Sequence, residues 1–412
     1  MTSWKTIHIS DLGRIVTGKT PKTSVKANYG GDIPFLTPSD DLTGKYAPKT
    51  NKSITEVGLS EVKNCLLQAN AICVSCIGSD LGKVVKTTKP LVTNQQINSI
   101  IPYEDYDADF IYYLMLIVGG QLNYLSKTST AVPIINKTQF SNFEVKVPSL
   151  EEQRRIAGIL SAIDDKIENN RRINTNLELQ AQALYKQWFV DFDFPNEDGK
   201  PYKSSGGKMV DSELGQIPEG WSVGKLEDMG TIVGGGTPSK AKQEYYTSNG
   251  IAWITPKDLS ITHAKFTAKG EVDITDIGYA NSSAKMMPRG SILFSSRAPI
   301  GYISIAKNDI CTNQGFKSVV PNNGCTAFVY YFLLSNTENI ESKATGSTFK
   351  EASGTLMKSL ELVMPSDDIL EKFEKIMSPI FEAQEKFEAA NKTLVTLRDT
   401  LLPKLMSGEI KI

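Results

Sequence analysis

Trp4-Lys5-Thr6-Ile7-His8-Ile9-Ser10-Asp11-Leu12-Gly13-Arg14-Ile15-Val16-Thr17-Gly18-Lys19-Thr20-Pro21 returns 217 residues later as Trp221-Ser222-Val223-Gly224-Lys225-Leu226-Glu227-Asp228-Met229-Gly230-Thr231-Ile232-Val233-Gly234-Gly235-Gly236-Thr237-Pro238. Trp, Asp11/Asp228, Gly13/Gly230, Ile15/Ile232, Val16/Val233, Gly18/Gly235 and Thr20-Pro21/Thr237-Pro238 coincide. Downstream, Ile33–Asp40 aligns with Ile251–Asp258, and Ile54–Gly58 with Ile274–Gly278. Thr93-Asn94-Gln95 aligns with Thr312-Asn313-Gln314, and Tyr112-Tyr113 with Tyr330-Tyr331. A chance match would not hold near one offset for so long. Self-similarity at a fixed period marks a repeated architecture, so the chain is a tandem duplication.

Each copy opens with a stretch rich in Gly, Pro, Thr and Ser. Ala71–Val74 and Ser291–Phe294 read as buried strands, with Val84-Val85 and Tyr302–Ile305 as hairpin partners. Phe110–Leu116 and Phe328–Leu334 read as short helices. Each lobe is therefore expected to be mixed α/β with an irregular, loop-rich sheet. Both copies end in a strand and a proline, Val147-Pro148 and Met364-Pro365, and a helix follows. Ser149 to Glu152 spells a capping box, with the serine accepting from free helix N–H groups and the glutamate reaching back. Ser366, Asp367 and Asp368 place acceptors and negative charge at the second helix start.

From Ile156 the apolar positions step by four and three through Leu160, Ile163, Ile167, Asn170, Asn174, Leu177, Ala181, Leu184 and Trp188, a heptad seam. The second copy repeats it as Phe373, Met377, Ile380, Gln384, Phe387, Asn391, Leu394, Arg398, Leu401 and Leu405. Neither seam is self-sufficient, so the two helices are expected to pack on each other. Pseudo-twofold closure makes the pair antiparallel, with the amides near its middle fixing register. A seam of this length spans roughly 50 Å, longer than one DNA turn of roughly 34 Å. Residues 195–220, polar and rich in Gly, Pro and Ser, read as a linker, and Pro403 as the end or a kink of the second helix. The expected fold is α+β: two pseudo-twofold-related α/β domains joined by two long antiparallel coiled-coil helices. Its segments are 1–148, 149–194, 195–220, 221–365 and 366–412. An interaction rod that binds only protein partners is the alternative reading of the heptads.

With 412 residues, 40% of them hydrophobic and 22% charged, the chain has the composition of a soluble multidomain protein. No apolar run approaches the roughly 20 residues of a membrane span, and its five cysteines do not make a disulfide framework. The expectation is a cytoplasmic protein. The formal net charge of −1 argues against a nonspecific nucleic-acid coat. Residues 1–150 hold 15 Lys/Arg against 12 Asp/Glu, and residues 206–365 hold 15 of each. Any DNA affinity must come from local groove chemistry or from a partner.

Gly13 to Thr20 fits the nucleotide-binding pattern G-x4-G-K-[ST], but Pro21 and a non-periodic stretch follow where a helix should begin. The second copy has Gly236 at the lysine position. The shared glycines and Thr-Pro point to a tight turn instead. Cys73 and Cys76 form a lone C-x-x-C without the second pair a structural zinc site needs, so core strand cysteines are the better reading. The only histidines, His8 and His263, are not repeat-related, which leaves no His-based catalytic site. No methyltransferase or nuclease motif stands out, and the chain is expected to catalyse nothing alone.

What remains suits DNA contact. Asn and Gln can be bidentate to adenine, Arg to guanine, and Ser, Thr and Lys reach phosphate. In lobe one the candidates are Thr20, Lys22, Ser39, Asp40, Ser75, Asn94, Gln95, Gln96, Ser129 and Thr130. In lobe two they are Thr237, Ser239, Lys240, Lys257, Ser295, Arg297, Asn313, Gln314, Ser347, Thr348 and Lys350, on stretches that read as loops. Thr-Asn-Gln, present in both copies, is also compatible with a structural turn. The copies share a scaffold and differ in these side chains, as two readers of different half-sites would.

Along essentially its whole length the sequence resembles the specificity subunits of type I restriction–modification systems. The resemblance rests on Gly235-Gly236-Thr237-Pro238, Ile217-Pro218-Glu219-Gly220-Trp221, Ile163-Asp164-Asp165-Lys166-Ile167, Trp188-Phe189-Val190-Asp191-Phe192 and Leu397 through Gly408. It implies two target-recognition domains, each reading half of an asymmetric bipartite site in double-stranded DNA. It also implies helices that set the unread spacer and dock two modification (methyltransferase) subunits, with restriction subunits joining them. S-adenosylmethionine, ATP and Mg would then bind those partners, leaving this chain without a cofactor or metal. One departure is that Trp4 lacks the longer lead-in that precedes Trp221.

Overall fold

The computed structural model describes residues 4–78, 81–127, 134–322, 324–346 and 350–412. The chain forms two compact units, Met1–Asn169 with Asn391–Ile412, and Asn170–Ala390.

In the first unit, Lys5–His8 pairs antiparallel with Glu144–Val147, so the lobe's first strand is closed by its last. Inside lies a four-stranded antiparallel sheet in the order Gly13–Thr17, Ile97–Pro102, Ile72–Ser75, Val84–Lys86. Cys73 faces Val85 across the expected hairpin. A smaller sheet joins Lys52–Ile54, Tyr29–Leu36 and Val92–Thr93. Helix α1 (Ala108–Lys127) is longer than its apolar run suggested. Within it Gly119 lies so close to the Gly82 backbone that a Cβ would clash. It is a packing site within the helix. The core joins Ile72, Val74, Phe110 and Tyr113 to seam residues Ile156, Leu160 and Leu405, with Leu401 against its edge.

The second unit repeats this plan. Ser222–Lys225 pairs with Glu361–Met364. The sheet has five strands, ordered Gly230–Gly234, Lys317–Pro321, Ile292–Ser296, Ile300–Ala306, Phe266–Thr267, the last added in parallel. Its core surrounds Phe294, Phe328 and Tyr331 and takes in Ala181, Tyr185, Trp188, Phe373 and Met377, with Leu184 and Ile380 packed against it. Residues 195–220 are folded rather than a loose tether. Phe194 stacks between Tyr202 and Trp221 at centroid distances of 4.7 and 4.9 Å. Met209–Ser212 and Gly215–Pro218 form a hairpin. Three aromatic rings outweigh the flexible composition around them.

Two 40-residue helices carry the seam, α2 (Leu150–Phe189) and the terminal helix Asp367–Met406. In either unit the portions present run antiparallel. Arg398 Nη1 lies 2.9 Å from Asp164 Oδ1, and Asn391 donates to the Ile167 carbonyl at 3.3 Å. In the second unit Asn174 and Gln384 donate to each other's backbone carbonyls at 3.2 and 3.5 Å. Ile163, Leu177, Phe387 and Leu394 are half-buried and Ile167 is buried. The Ser149 hydroxyl accepts from the Glu152 N–H at 3.4 Å, but the Glu152 carboxylate accepts from the Trp4 indole at 3.4 Å instead of reaching back. Pro403 does not end the last helix, which continues to Met406. No described helix is long and apolar enough to cross a membrane.

Candidate nucleic-acid interface

The repeated glycines fix the site. Gly18 and Gly235 press against the carbonyls of Asn94 and Asn313 with no room for a Cβ. Each contact brings the following Thr-Pro against the Asn-Gln loop. Thr20 Oγ1 donates to Gln95 Oε1 at 2.7 Å, and Thr237 donates to Gln314 in the same way. Asn94 Oδ1 accepts from the Gln96 N–H at 3.1 Å, and Asn313 Oδ1 from the Gly315 N–H at 2.8 Å. The asparagines thus build the turn, and the exposed Gln95 and Gln314 stand on it. No helix follows Thr20 directly; the stretch is a turn, not a phosphate cradle.

A concavity opens beside this turn in both lobes. In lobe two it measures about 650 Å³, with Thr237, Lys240, Trp253, Lys257, Arg297 and Gln314 in its wall. In lobe one it measures about 450 Å³ and includes Thr20, Tyr29, Phe35, Asn51 and Lys52. The frames match: Tyr29 donates to the Pro21 carbonyl at 2.7 Å and Tyr246 to the Pro238 carbonyl at 2.6 Å. The rims do not. Repeat positions of Lys240, Lys257 and Arg297 hold Thr23, Ser39 and Ile77. Lys257 pairs with Glu271 at 2.7 Å, and Arg297 lies 3.6 Å from Glu351.

Several candidates are structural. Lys257 and Asp258, expected on a loop, open helix α3 (Pro256–Thr262). Buried Asp258 accepts from the N–H groups of Thr255 at 2.8 Å and Glu271 at 2.7 Å. Asp40 does the same for Thr37 and Asn51, both at 2.8 Å. Ser75 and Ser295 lie buried in strands rather than on loops: Ser75 ends Ile72–Ser75 and Ser295 is the penultimate residue of Ile292–Ser296, both interior strands of their sheets. Ser295 donates to the Pro299 carbonyl at 2.8 Å. Gln96 accepts from the Asn94 amide at 2.9 Å. Lys22, Ser39, Ser239, Lys240 and Lys350 are exposed, whereas Ser129, Thr130, Ser347 and Thr348 lie outside the described residues. Cys73 and Cys76 are buried, and burial pushes the Cys73 thiol up to about 12.

Sequence reasoning missed a pair of buried lysines that tie each lobe to the helices. Lys45 Nζ lies 2.9 Å from Asp109, donates to Ser161 at 2.8 Å and sits over the Tyr113 ring. Lys265 Nζ donates to Glu178 at 2.6 Å, Tyr331 at 2.7 Å and Gln384 at 3.0 Å. Burial lowers Lys265 to about 8 against the pull of Glu178. Burial also opposes ionisation of Glu178, but Lys265 overcomes it and holds the carboxyl below its ordinary range. The available signal was register: Lys45-Tyr46 and Lys265-Phe266 occupy the same repeat position.

A family model described as the type I restriction modification DNA specificity domain matches residues 1–179 and 218–396. The chain is 28% identical to the type I restriction enzyme MjaIX specificity subunit of Methanocaldococcus jannaschii, over 99% of this chain and 94% of that protein. It is 25% identical to the HindI specificity subunit of Haemophilus influenzae, covering all of both. A crystal structure of a type I system S subunit from M. genitalium superposes with a TM-score of 0.61 at 16% identity, covering 98% of this chain and 96% of that one.

Proposed function

The chain belongs to the type I restriction–modification DNA specificity family, and we propose that it reads a bipartite site in double-stranded DNA, one half-site per lobe. It is the non-catalytic, sequence-recognising subunit of its complex. Modification subunits supply methylation and restriction subunits supply cleavage; S-adenosylmethionine, ATP and Mg belong to those partners. The observation that carries this reading is the repeated concavity, built on one frame and rimmed by different side chains. A common frame poses the lobe on the duplex and a variable rim selects bases. The helices are read as the spacer and as the docking surface for two modification subunits. A scaffold for protein partners alone would not call for differing polar rims around a shared frame. The test is the methylome of a host carrying this chain with its modification subunit. One asymmetric, two-part motif is expected, and methylation without sequence preference would overturn the reading.

A further inference from the structure

The two sheets carry different chemistry at one equivalent place. In lobe two, Ala352 donates to the Ser296 carbonyl at 2.9 Å, which sets Glu351 beside Arg297. In lobe one, Ile135 donates to the Cys76 carbonyl at 2.9 Å, which sets Ile134 against Ile77. Glu351 is held from the other side by Lys317 at 3.1 Å, on the strand paired with Gly230–Gly234. The matching residue in lobe one is Asn98, which accepts from Thr17 at 2.7 Å. One lobe thus has an Arg–Glu–Lys triad where the other has two isoleucines and an amide.

We infer that Arg297 is the guanine-reading residue of lobe two, with Glu351 as its positioning residue; this rests on the function proposed above. Arg297 lies in the wall of the concavity beside Gln314 and Lys257, and its side chain is 36% exposed. A guanidinium fork matches the paired O6 and N7 acceptors of guanine in the major groove. Phosphate is the poorer partner here, because it would meet the Glu351 carboxylate as well. A guanine edge carries no net charge, so Glu351, shared between Arg297 and Lys317, can orient the fork without the repulsion a phosphate would meet. Ile77 offers no donor, so the same position of lobe one cannot select guanine.

The test is methylation of a randomised duplex library by this chain bound to its modification subunit. Exchange of residues 221–365 identifies which half-site belongs to lobe two. That half is expected to contain an invariant guanine. Arg297→Met keeps an unbranched side chain of similar length but removes every donor, and should reduce discrimination at that one position by roughly 10- to 100-fold. Arg297→Ala should do the same, and Glu351→Gln should weaken selectivity there less. The near-isosteric Arg297→Met keeps the test valid if the alanine variant does not fold. A lobe-two half-site without an invariant guanine would overturn the inference. So would variants that lower methylation uniformly with base preferences intact, the signature of a phosphate contact. Absence of any two-part motif with the unaltered chain would instead overturn the underlying function.

Discussion

The Lys265 ammonium, 9% exposed on its side chain, is the cation beside the partly buried Glu178 carboxylate. Removing one member of a buried pair strands the other, at a cost of about 3–5 kcal/mol. Lys265→Met should therefore destabilise the second unit by about 3 kcal/mol, and adding Glu178→Gln should recover much of that loss in denaturant melts. Equal losses in the single and double variants would contradict the pairing. Glu374 titrates in the other direction. Its carboxylate accepts from the Ala327 and Phe328 N–H groups at 3.1 and 2.9 Å, yet burial prevails and raises it from 4.5 to about 7. The folded state thus holds this proton more tightly than the unfolded chain. Its contribution is full below about pH 4.5 and is lost as pH rises through about 7. Between those limits one proton gives the stability curve a slope of about 1.4 kcal/mol per pH step of one. Glu374→Gln is expected to flatten that part of the curve in denaturant melts repeated across this pH range; an unchanged curve would contradict it. Glu374 was not legible in the sequence, because burial of a charge is decided by tertiary packing, and Lys265 was marked only by the repeat position it shares with Lys45. Arg297 was legible as a candidate, but its carboxylate partner was not, since Glu351 is set beside it by the backbone bond from Ala352 to Ser296, between segments far apart in sequence.

Among the elements, the helices and paired strands were the most legible. The seam from Ile156 to Trp188 and its repeat from Phe373 to Leu405 follow from side-chain periodicity, which a 40-residue helix preserves. Breaker residues were the least legible. Pro403, read as an end or a kink, sits inside a helix that continues to Met406, because neighbouring packing overrides local propensity. If the helices measure the unread spacer, inserting one heptad into both, for example after Asn170 and after Phe387, should lengthen it by about 3 bp, since roughly 10 Å is about three base steps. Methylome sequencing reads this directly, and an unchanged spacer would contradict the role.

At the scale of the whole molecule, duplication was legible from a constant offset, and the matched concavities give it functional content. Thr20–Gln95 and Thr237–Gln314 form the same hydrogen-bonded frame in both lobes, while Arg297 and Ile77 divide them. Sequence alone could not separate turn-building Asn94, Asn313, Asp40 and Asp258 from exposed Gln95 and Gln314. All are short polar residues near turns, and only the hydrogen-bond partners distinguish them. Independent readout by the two lobes is tested most directly by exchanging residues 221–365 for the same lobe of another specificity subunit and sequencing the methylome. One half-site should change while the other, and the spacer, stay as they were; a change in both halves would contradict independent reading.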